Sequence, residues 1–336
     1  MESLQSRFIK LIFRSQLRTM DRLNLRVWDE HTSVQAWREY CETNAAKAKL
    51  PGGVEAVPVQ INGLPAGLSA EWLQPATASR APQVDDVVIF YTHGGGYISG
   101  SCADHRALVA KLVASSGIRL LLFEYRLAPE HPFPAALEDS LTAYRWLLRQ
   151  IQPTTYIIFA GESAGGGLIL GTLLALKDLI AQGETGLPMP VACISISPNT
   201  DMALRGKPNR VKGSIEPEGM AEYCSRYYVG DNDPCHPYIS PLYGDLRGLP
   251  PLLLTVGDEE CALDDSVRFA KKAKAAGVDV KLVVGKGQVH CYPLLPDFIP
   301  ECKAAMAEIT AFMRKHLKCT PRMCLSVDDT TPSAWA

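Results

Sequence analysis

The sequence predicts an α/β fold: a mainly parallel sheet with helices on both faces. Two observations carry this. From residue 86 onward short apolar runs alternate with helix-length segments, and several of those runs are continuously apolar rather than alternating, as strands buried on both faces must be. With 336 residues the chain is long enough for one large α/β domain carrying insertions.

Asp86–Thr92 (DVVIFYT), Ile118–Phe123, Tyr156–Ala160, Val191–Ser197, Pro251–Val256 and Asp279–Val284 read as strands. Between and after them, Ala103–Ser115, Pro134–Gln150, Ala164–Gln182, Leu263–Ala276 and Glu301–Leu317 read as helices. The second opens with a proline, which a first turn tolerates, and Gly277 stops the fourth. Ahead of this core, residues 1–50 read as a helical cap segment, with helices expected at Arg14–Arg26 and Ser33–Lys49. Leu50-Pro51-Gly52-Gly53 breaks the pattern, and Val57–Ile61 and Leu68–Leu73 suit a first strand pair. The α/β core is expected to span 51–318. A Pro-, Gly- and charge-rich interruption at about 199–237 reads as an insertion over the site, with one helix at Pro217–Tyr228. Residues 319–336 read as a disordered tail.

Composition narrows the function. The net charge of −2 lacks the basic surplus of a nucleic-acid binder. Ten cysteines at irregular spacing, with no Cys-x-x-Cys pair, argue against a zinc site and for reduced thiols, hence a cytoplasmic location. No apolar run approaches the roughly twenty residues of a membrane span. In Met1–Met20 the bases Arg7, Lys10 and Arg14 interrupt any signal-peptide core, and with Arg18 and Arg22 they recur at helical spacing among Phe8, Ile9, Ile12 and Phe13. Three readings stay open: a membrane-surface helix, a mitochondrial presequence, or a lid helix resting on the α/β core. The last is preferred because amphipathic helices most commonly pack on protein.

The strongest motif is Gly161-Glu162-Ser163-Ala164-Gly165, directly after a strand and opening a helix. So tight a turn needs small neighbours and lifts the serine hydroxyl clear of the backbone, while the helix N-terminus offers unpaired N–H groups. The bland alternative, a chance pentapeptide, is made less attractive by that context. The second motif is His93-Gly94-Gly95-Gly96-Tyr97, after the strand at 86–92. Bare glycine N–H groups can approach a developing oxyanion. No Lys-Ser/Thr follows, which excludes a P-loop, and His93 reads as a brace for the loop.

These motifs resemble the hormone-sensitive-lipase family of esterases, of the α/β-hydrolase fold. Tyr125–Ala136 (YRLAPEHPFPAA), Ser197-Pro198, Ser240-Pro241-Leu242 and Leu249-Pro250-Pro251 extend the resemblance over roughly residues 85–317. The fold implied is a mainly parallel sheet with helices on both faces and a small helical cap. The order of the family's triad is serine, acid, histidine. His236, His290 and His316 follow the motif late enough to be the base. His316 falls in the final helix and reads as a solvated face. His290, in a loop just after the strand at 279–284, stands where the family has its base. For the acid, the family's Asp-Pro-Leu-Arg-Asp string is missing. Aligning Asp264 with its second aspartate puts the first on Glu260, thirty positions before His290, with Asp258 as the fallback. Asp264, Asp265 and other unchosen acids read as helix N-terminal charges. Glu162 reads as structural, bonding nearby backbone, and Arg205, Lys207, Arg210 and Lys212 as a solvated loop cluster.

The implied chemistry is hydrolysis of short-to-medium acyl esters or of a small metabolite ester. Ser163 is the expected nucleophile, His290 the base and Glu260 the acid, with Gly95, Gly96 and Ala164 as oxyanion donors. It calls for no metal and no organic cofactor. The expected partner is a small-molecule ester; no nucleic acid and no transmembrane segment are expected, and a homodimer is an open alternative to a monomer. Amide hydrolysis and acyl transfer share the machinery. A non-catalytic receptor is the rival from another class; receptors descended from this family lack the histidine that His290 supplies here.

Overall fold

The computed structural model describes residues 2–45, 47–76, 87–206 and 216–319. Eight strands form one sheet in the order β1-β2-β4-β3-β5-β6-β7-β8. They are β1 (Val54–Val59), β2 (Ala70–Pro75), β3 (Val87–Thr92), β4 (Arg119–Phe123), β5 (Tyr156–Glu162), β6 (Ala192–Ile196), β7 (Leu252–Gly257) and β8 (Val280–Gly285). β1 and β2 are antiparallel, as are β2 and β4; every pairing from β4 through β8 is parallel.

The helices are α1 (Leu4–Arg22), α2 (Val34–Ala45), α3 (Cys102–Ser116), α4 (Ala135–Gln150), α5 (Ser163–Ala181), α6 (Met220–Val229), α7 (Leu263–Ala275) and α8 (Pro300–Cys319). Alternate strand residues feed two cores. Val88, Phe90, Leu121, Phe123 and Phe159 pack with α4, α5 and α7. Ile89, Tyr91, Leu120, Leu122 and Ile158 pack with α3 and α8. α5 is apolar on every side because both the sheet and its helical neighbours cover it. Its length and apolarity would suffice to cross a membrane, but 72% of that window is buried inside the protein.

Local chemistry accounts for most boundaries. Ser101 and Asp104 close a reciprocal capping box at the start of α3, and Gly117 ends that helix in the left-handed region. Pro134 stands just outside α4, at its N-cap, rather than within the first turn. β5 runs two residues beyond Ala160 because Gly161 and Glu162 pair with Ser195 and Ile196. α1 begins and ends earlier than expected, and α2 ends at Ala45 rather than Lys49. α1 starts at Leu4 because Ser3 caps it, and Ser3 is itself held by Glu301, 298 positions away, a contact no local pattern announces.

Segment 26–28 and the insertion meet directly. Val27 bridges Glu218, Trp28 N–H donates to Glu218 O (2.7 Å), and the Tyr223 hydroxyl donates to Thr32 O (3.1 Å). Trp28 stands edge-on to both Trp37 and Tyr223. α6 is the helix expected in the insertion. Of the basic cluster, Lys207, Arg210 and Lys212 lie outside the described residues, as does the tail 320–336. Arg205 is not simply solvated: its guanidinium lies over the Tyr243 ring and its N–H donates to Asp201 Oδ2.

Phe90 is fully buried, with Phe123, Phe159 and Tyr144 ring centroids at 4.9, 5.1 and 5.6 Å. Phe90→Ala is expected to lower unfolding free energy by about 3–5 kcal/mol. Urea titration followed by tryptophan fluorescence measures it, and a loss within error of zero would contradict this packing.

Candidate active site

The site is assembled at the carboxyl ends of five adjacent parallel strands, β3, β5, β6, β7 and β8, where an open α/β sheet offers its loops. Ser163 follows β5 and opens α5 with φ +54°, a left-handed conformation that a serine adopts only when its surroundings impose it. The turn leaves no room for side chains: a Cβ on Gly165 would come within 2.1 Å of Thr92 O. The glycine loop after β3 lies against it, since a Cβ on Gly94 would stand 3.2 Å from Ser163 Cβ. Among the described residues no acceptor takes the N–H of Gly95 or Gly96. Ala164 sits in the first turn of α5, whose N–H groups lack intrahelical acceptors.

His93 braces this loop. Its Nδ1 lies 2.8 Å from Gly94 O, its ring stacks on Tyr125 (4.2 Å), and the Tyr125 hydroxyl donates to His93 O. Burial, together with the nearby charge of His105, lowers its pKa to about 4, so the ring is neutral.

Beneath the loop lies a cluster the sequence did not signal. Glu162 Oε1 accepts the Gly94 N–H (2.7 Å) and faces His105 Nε2 (3.2 Å), while His105 Nδ1 pairs with Asp104. Burial disfavours charge on His105, but the bonds and charges of Asp104 and Glu162 outweigh it and push the pKa up to about 10. His105 is therefore an imidazolium between two carboxylates. Asp104 also closes the cap of α3, and its link to Glu162 depends on β5 lying beside β3.

Glu260, fully buried, follows β7. Its Oε2 lies 2.5 Å from His290 Nδ1, and its Oε1 accepts from Gly257 N–H (2.5 Å) and the Ser197 hydroxyl (2.8 Å). His290 sits in the loop after β8. Burial opposes its charge, yet the negative groups at Cys291 and Glu260 hold its pKa well above the usual value. Because burial also pushes the Cys291 thiol up, the charge that acts at neutral pH is that of Glu260.

Ser197, noticed in the sequence only as part of a Ser-Pro pair, joins the two loops. At φ +48° after β6, it donates to Glu260 and accepts the Cys291 N–H (3.0 Å). Glu216, from the insertion, brings a second carboxylate to 3.4 Å from His290 Nδ1 and accepts the Cys261 N–H. Glu216, Glu260 and His290 have ligand atoms within 4.8 Å of one another, close enough to share a cation. The hydrogen bond between Glu260 and Nδ1 already accounts for that approach.

The other acids are engaged elsewhere. Asp258 is not a helix-end charge: it accepts the Gly287 N–H and braces the turn after β8. Glu259 pairs with Lys10 (2.9 Å). Asp265 accepts the N–H groups of Thr200 and Asp201, fastening the start of the insertion to α7; burial and the neighbouring Asp201 raise its pKa to about 7. Asp264 stands in the first turn of α7, as expected. His316 is buried against Phe312, not on a solvated face, because α8 turns it toward the sheet side of the molecule. His236 Nδ1 accepts the Tyr238 N–H within its own turn.

α6 closes over the glycine loop. Tyr228 stacks on Tyr97 at 3.6 Å, and Cys224 Sγ lies 2.4 Å from where a Gly96 Cβ would be. The arrangement can activate a hydroxyl, hold a developing oxyanion and return a proton to a leaving group.

The profile of the α/β-hydrolase fold family matches residues 89–294. The chain belongs to that family. It is 37% identical over 250 residues to an acetyl-hydrolase of Streptomyces hygroscopicus, covering 73% of this chain and 79% of the relative. A solved esterase/lipase from an uncultured bacterium superimposes with TM-score 0.79 at 35% identity, over 94% of this chain and 99% of its own. An esterase of the bacterial hormone-sensitive lipase family does so with TM-score 0.75 at 36% identity, over 89% and 97%. Within the α/β hydrolases, the chain stands among the esterases of hormone-sensitive-lipase type.

The raised pKa of His105 has a signed consequence. Its contribution to stability is full below the unfolded value of about 6.5, shrinks as pH rises, and is gone above about 10. The stability difference between the natural chain and His105→Gln should therefore be largest at acid pH and close as pH approaches 10. Urea titrations across pH 6–10 measure this; a pH-independent difference would mean His105 is not charged in the fold.

Proposed function

We propose that the chain hydrolyses carboxylic esters of short-to-medium acyl length, with Ser163 as nucleophile, His290 as base and Glu260 as the acid that orients it. The observation that carries this is the bond from the buried Glu260 to His290 Nδ1, together with a serine held at φ +54° at the end of β5. With Nδ1–H fixed on Glu260, the other ring nitrogen is the one that can take a proton.

Ser163 Oγ attacks the acyl carbon and its proton passes to His290 Nε2. The N–H groups of Gly95, Gly96 and Ala164 receive the oxyanion. The imidazolium, stabilised by Glu260, protonates the leaving alkoxide, and an acyl-serine remains. Water then adds to that ester while His290 takes its proton, and the acid departs with Ser163 restored. Ser197 and Glu162 are positioning residues: one holds the Glu260 carboxylate, the other the Gly94 N–H.

In this reading residues 1–50 and the insertion at about 199–237 form the cap. The close seating of α6 on Gly96 and Tyr97 supports a shallow acyl site. The name of the acetyl-hydrolase relative points the same way. A cytoplasmic location is supported by the free thiols of eight cysteines, from Cys41 to Cys302.

Ser163→Ala should lower turnover of p-nitrophenyl acetate by on the order of 10³ or more while leaving the fold intact; near-normal turnover would end this mechanism. Glu260→Gln should reduce kcat by roughly 10²–10⁴ with little change in KM, whereas Asp258→Asn should change kcat far less. The reverse ranking would move the acid to Asp258. Across p-nitrophenyl esters from acetate to decanoate, turnover should fall at the long end. Faster cleavage of emulsified long-chain triglyceride would refute the shallow site.

A further inference from the structure

α1 has two faces of different character. Its inner face is fastened to the enzyme. Ser3 bonds Glu301 through both its N–H and its hydroxyl, Ser6 is buried beside Gln288, and Met20 enters the main core. Lys10, also buried, reaches Glu2 (2.7 Å), Glu259 (2.9 Å) and Gly287 O (3.1 Å).

The outer face shows a stripe of large apolar side chains to solvent: Leu4 (77% exposed), Phe8 (59%), Leu11 (60%) and Ile12 (39%). Their spacing of four, three and one residues puts them on one side of the helix. Arg7 lies along one edge of that stripe, and Arg18 and Arg22 continue it toward the end of the helix; all three are exposed. Of these, Arg7 stands 3.7 Å from Glu2 with its side chain 62% exposed. A further exposed aromatic, Phe298 (56%), lies just ahead of α8, three residues before the Glu301 that holds Ser3, and so at the same end of α1.

We propose that this face of α1, with Phe298, docks on a bilayer containing anionic lipid. Exposed leucine and phenylalanine on a helix whose opposite side is anchored have no packing role among the described residues. A helix lying in the membrane interface uses such a stripe, with arginines alongside to meet headgroups. Charge decides between a bilayer and a second copy. A self-complementary pairing through the stripe would bring the arginines of the two copies together, whereas anionic headgroups complement them. Docking also has a structural consequence. The inner face of α1 is bonded to Glu259 and Gln288, each close in sequence to Glu260 or His290. The enzyme would therefore rest on lipid by the edge of the sheet that carries its acid and base, where apolar esters partition. The binding claim itself does not depend on the esterase reading.

The test is co-sedimentation of the full chain with phosphatidylcholine vesicles, with and without phosphatidylglycerol. The natural chain should pellet with the anionic vesicles, less so as salt is raised. The pair Phe8→Ser and Leu11→Ser, and separately the triple change Arg7→Gln, Arg18→Gln and Arg22→Gln, should abolish pelleting while p-nitrophenyl acetate turnover stays unchanged. Phe8→Trp gives a gain of signal that does not rely on a lost interaction: its emission should be quenched by brominated phosphatidylglycerol in vesicles. No pelleting with anionic vesicles, equal pelleting by the variants, or an unquenched Trp at position 8 would overturn the proposal. So would a natural-chain dimer in analytical ultracentrifugation that the Phe8→Ser, Leu11→Ser pair converts to monomer.

Discussion

A carboxylate sealed from water is costly unless hydrogen-bond donors replace the hydration it loses, and Glu260 is fully buried. Its two oxygens meet three donor groups: the Gly257 N–H, the Ser197 hydroxyl and the His290 imidazole. Those donors come from the end of β7, the loop after β6 and the loop after β8, so the charge can be buried only if the parallel register of all three strands is correct. The pairing of Cys193–Ile196 with Leu252–Thr255, and of Leu252–Gly257 with Val280–Gly285, sets that register. Positioning an imidazole and building this half of the sheet are thus the same structural problem.

The other half of the site repeats the logic with the charges reversed in role. Glu162 is buried at the end of β5, and His105 of α3 answers it with an imidazolium that Asp104 secures. Two histidine rings stand 5.0 Å apart here, one pushed up to about 10 and the other down to about 4. Burial disfavours charge on His93, and the like charge of His105 at that distance adds to it, so His93 stays neutral. Neutral His93 serves the loop through its contact with Gly94 O and its stack on Tyr125. A single buried cation therefore stabilises the carboxylate that orients Gly94 and helps keep the loop's first residue uncharged.

Much of this was legible in the sequence, for reasons that particular residues make plain. Strands such as Val87–Thr92 are apolar on both faces because helices cover both faces, and no tertiary knowledge is needed to see it. The Ser163 turn and the glycine loop announce themselves because close approach forbids side chains. The contact of Glu260 with His290 follows the thirty-residue spacing that the family resemblance implied. Ser197, His105 and Glu216 were not legible, since each acts through a partner on another element. A serine after a strand, a histidine in a first helical turn and a glutamate in an insertion carry no local mark of that. His316 failed for a related reason: the last turn of a helix is commonly solvated, and only the packing of α8 decides that this one is not.

The N-terminal segment and the insertion lie far apart in sequence yet meet as one layer. Glu218 accepts from Trp28 and donates to Arg26 O, which lines the two segments side by side through backbone bonds alone. Side chains then lock the join, with Trp28 between Trp37 and Tyr223. Two residues before Glu218, the Glu216 carboxylate faces His290; one turn after Tyr223, Tyr228 stacks on Tyr97 of the glycine loop. A displacement of the N-terminal segment would therefore be felt at both the imidazole and the glycine loop. This layer cannot vary freely as a surface loop does, because its backbone bonds on one side and the site's geometry on the other restrain the same few residues. Substrate shape is constrained from the same place: whatever acyl group enters must fit beneath an α6 already in contact with Gly96.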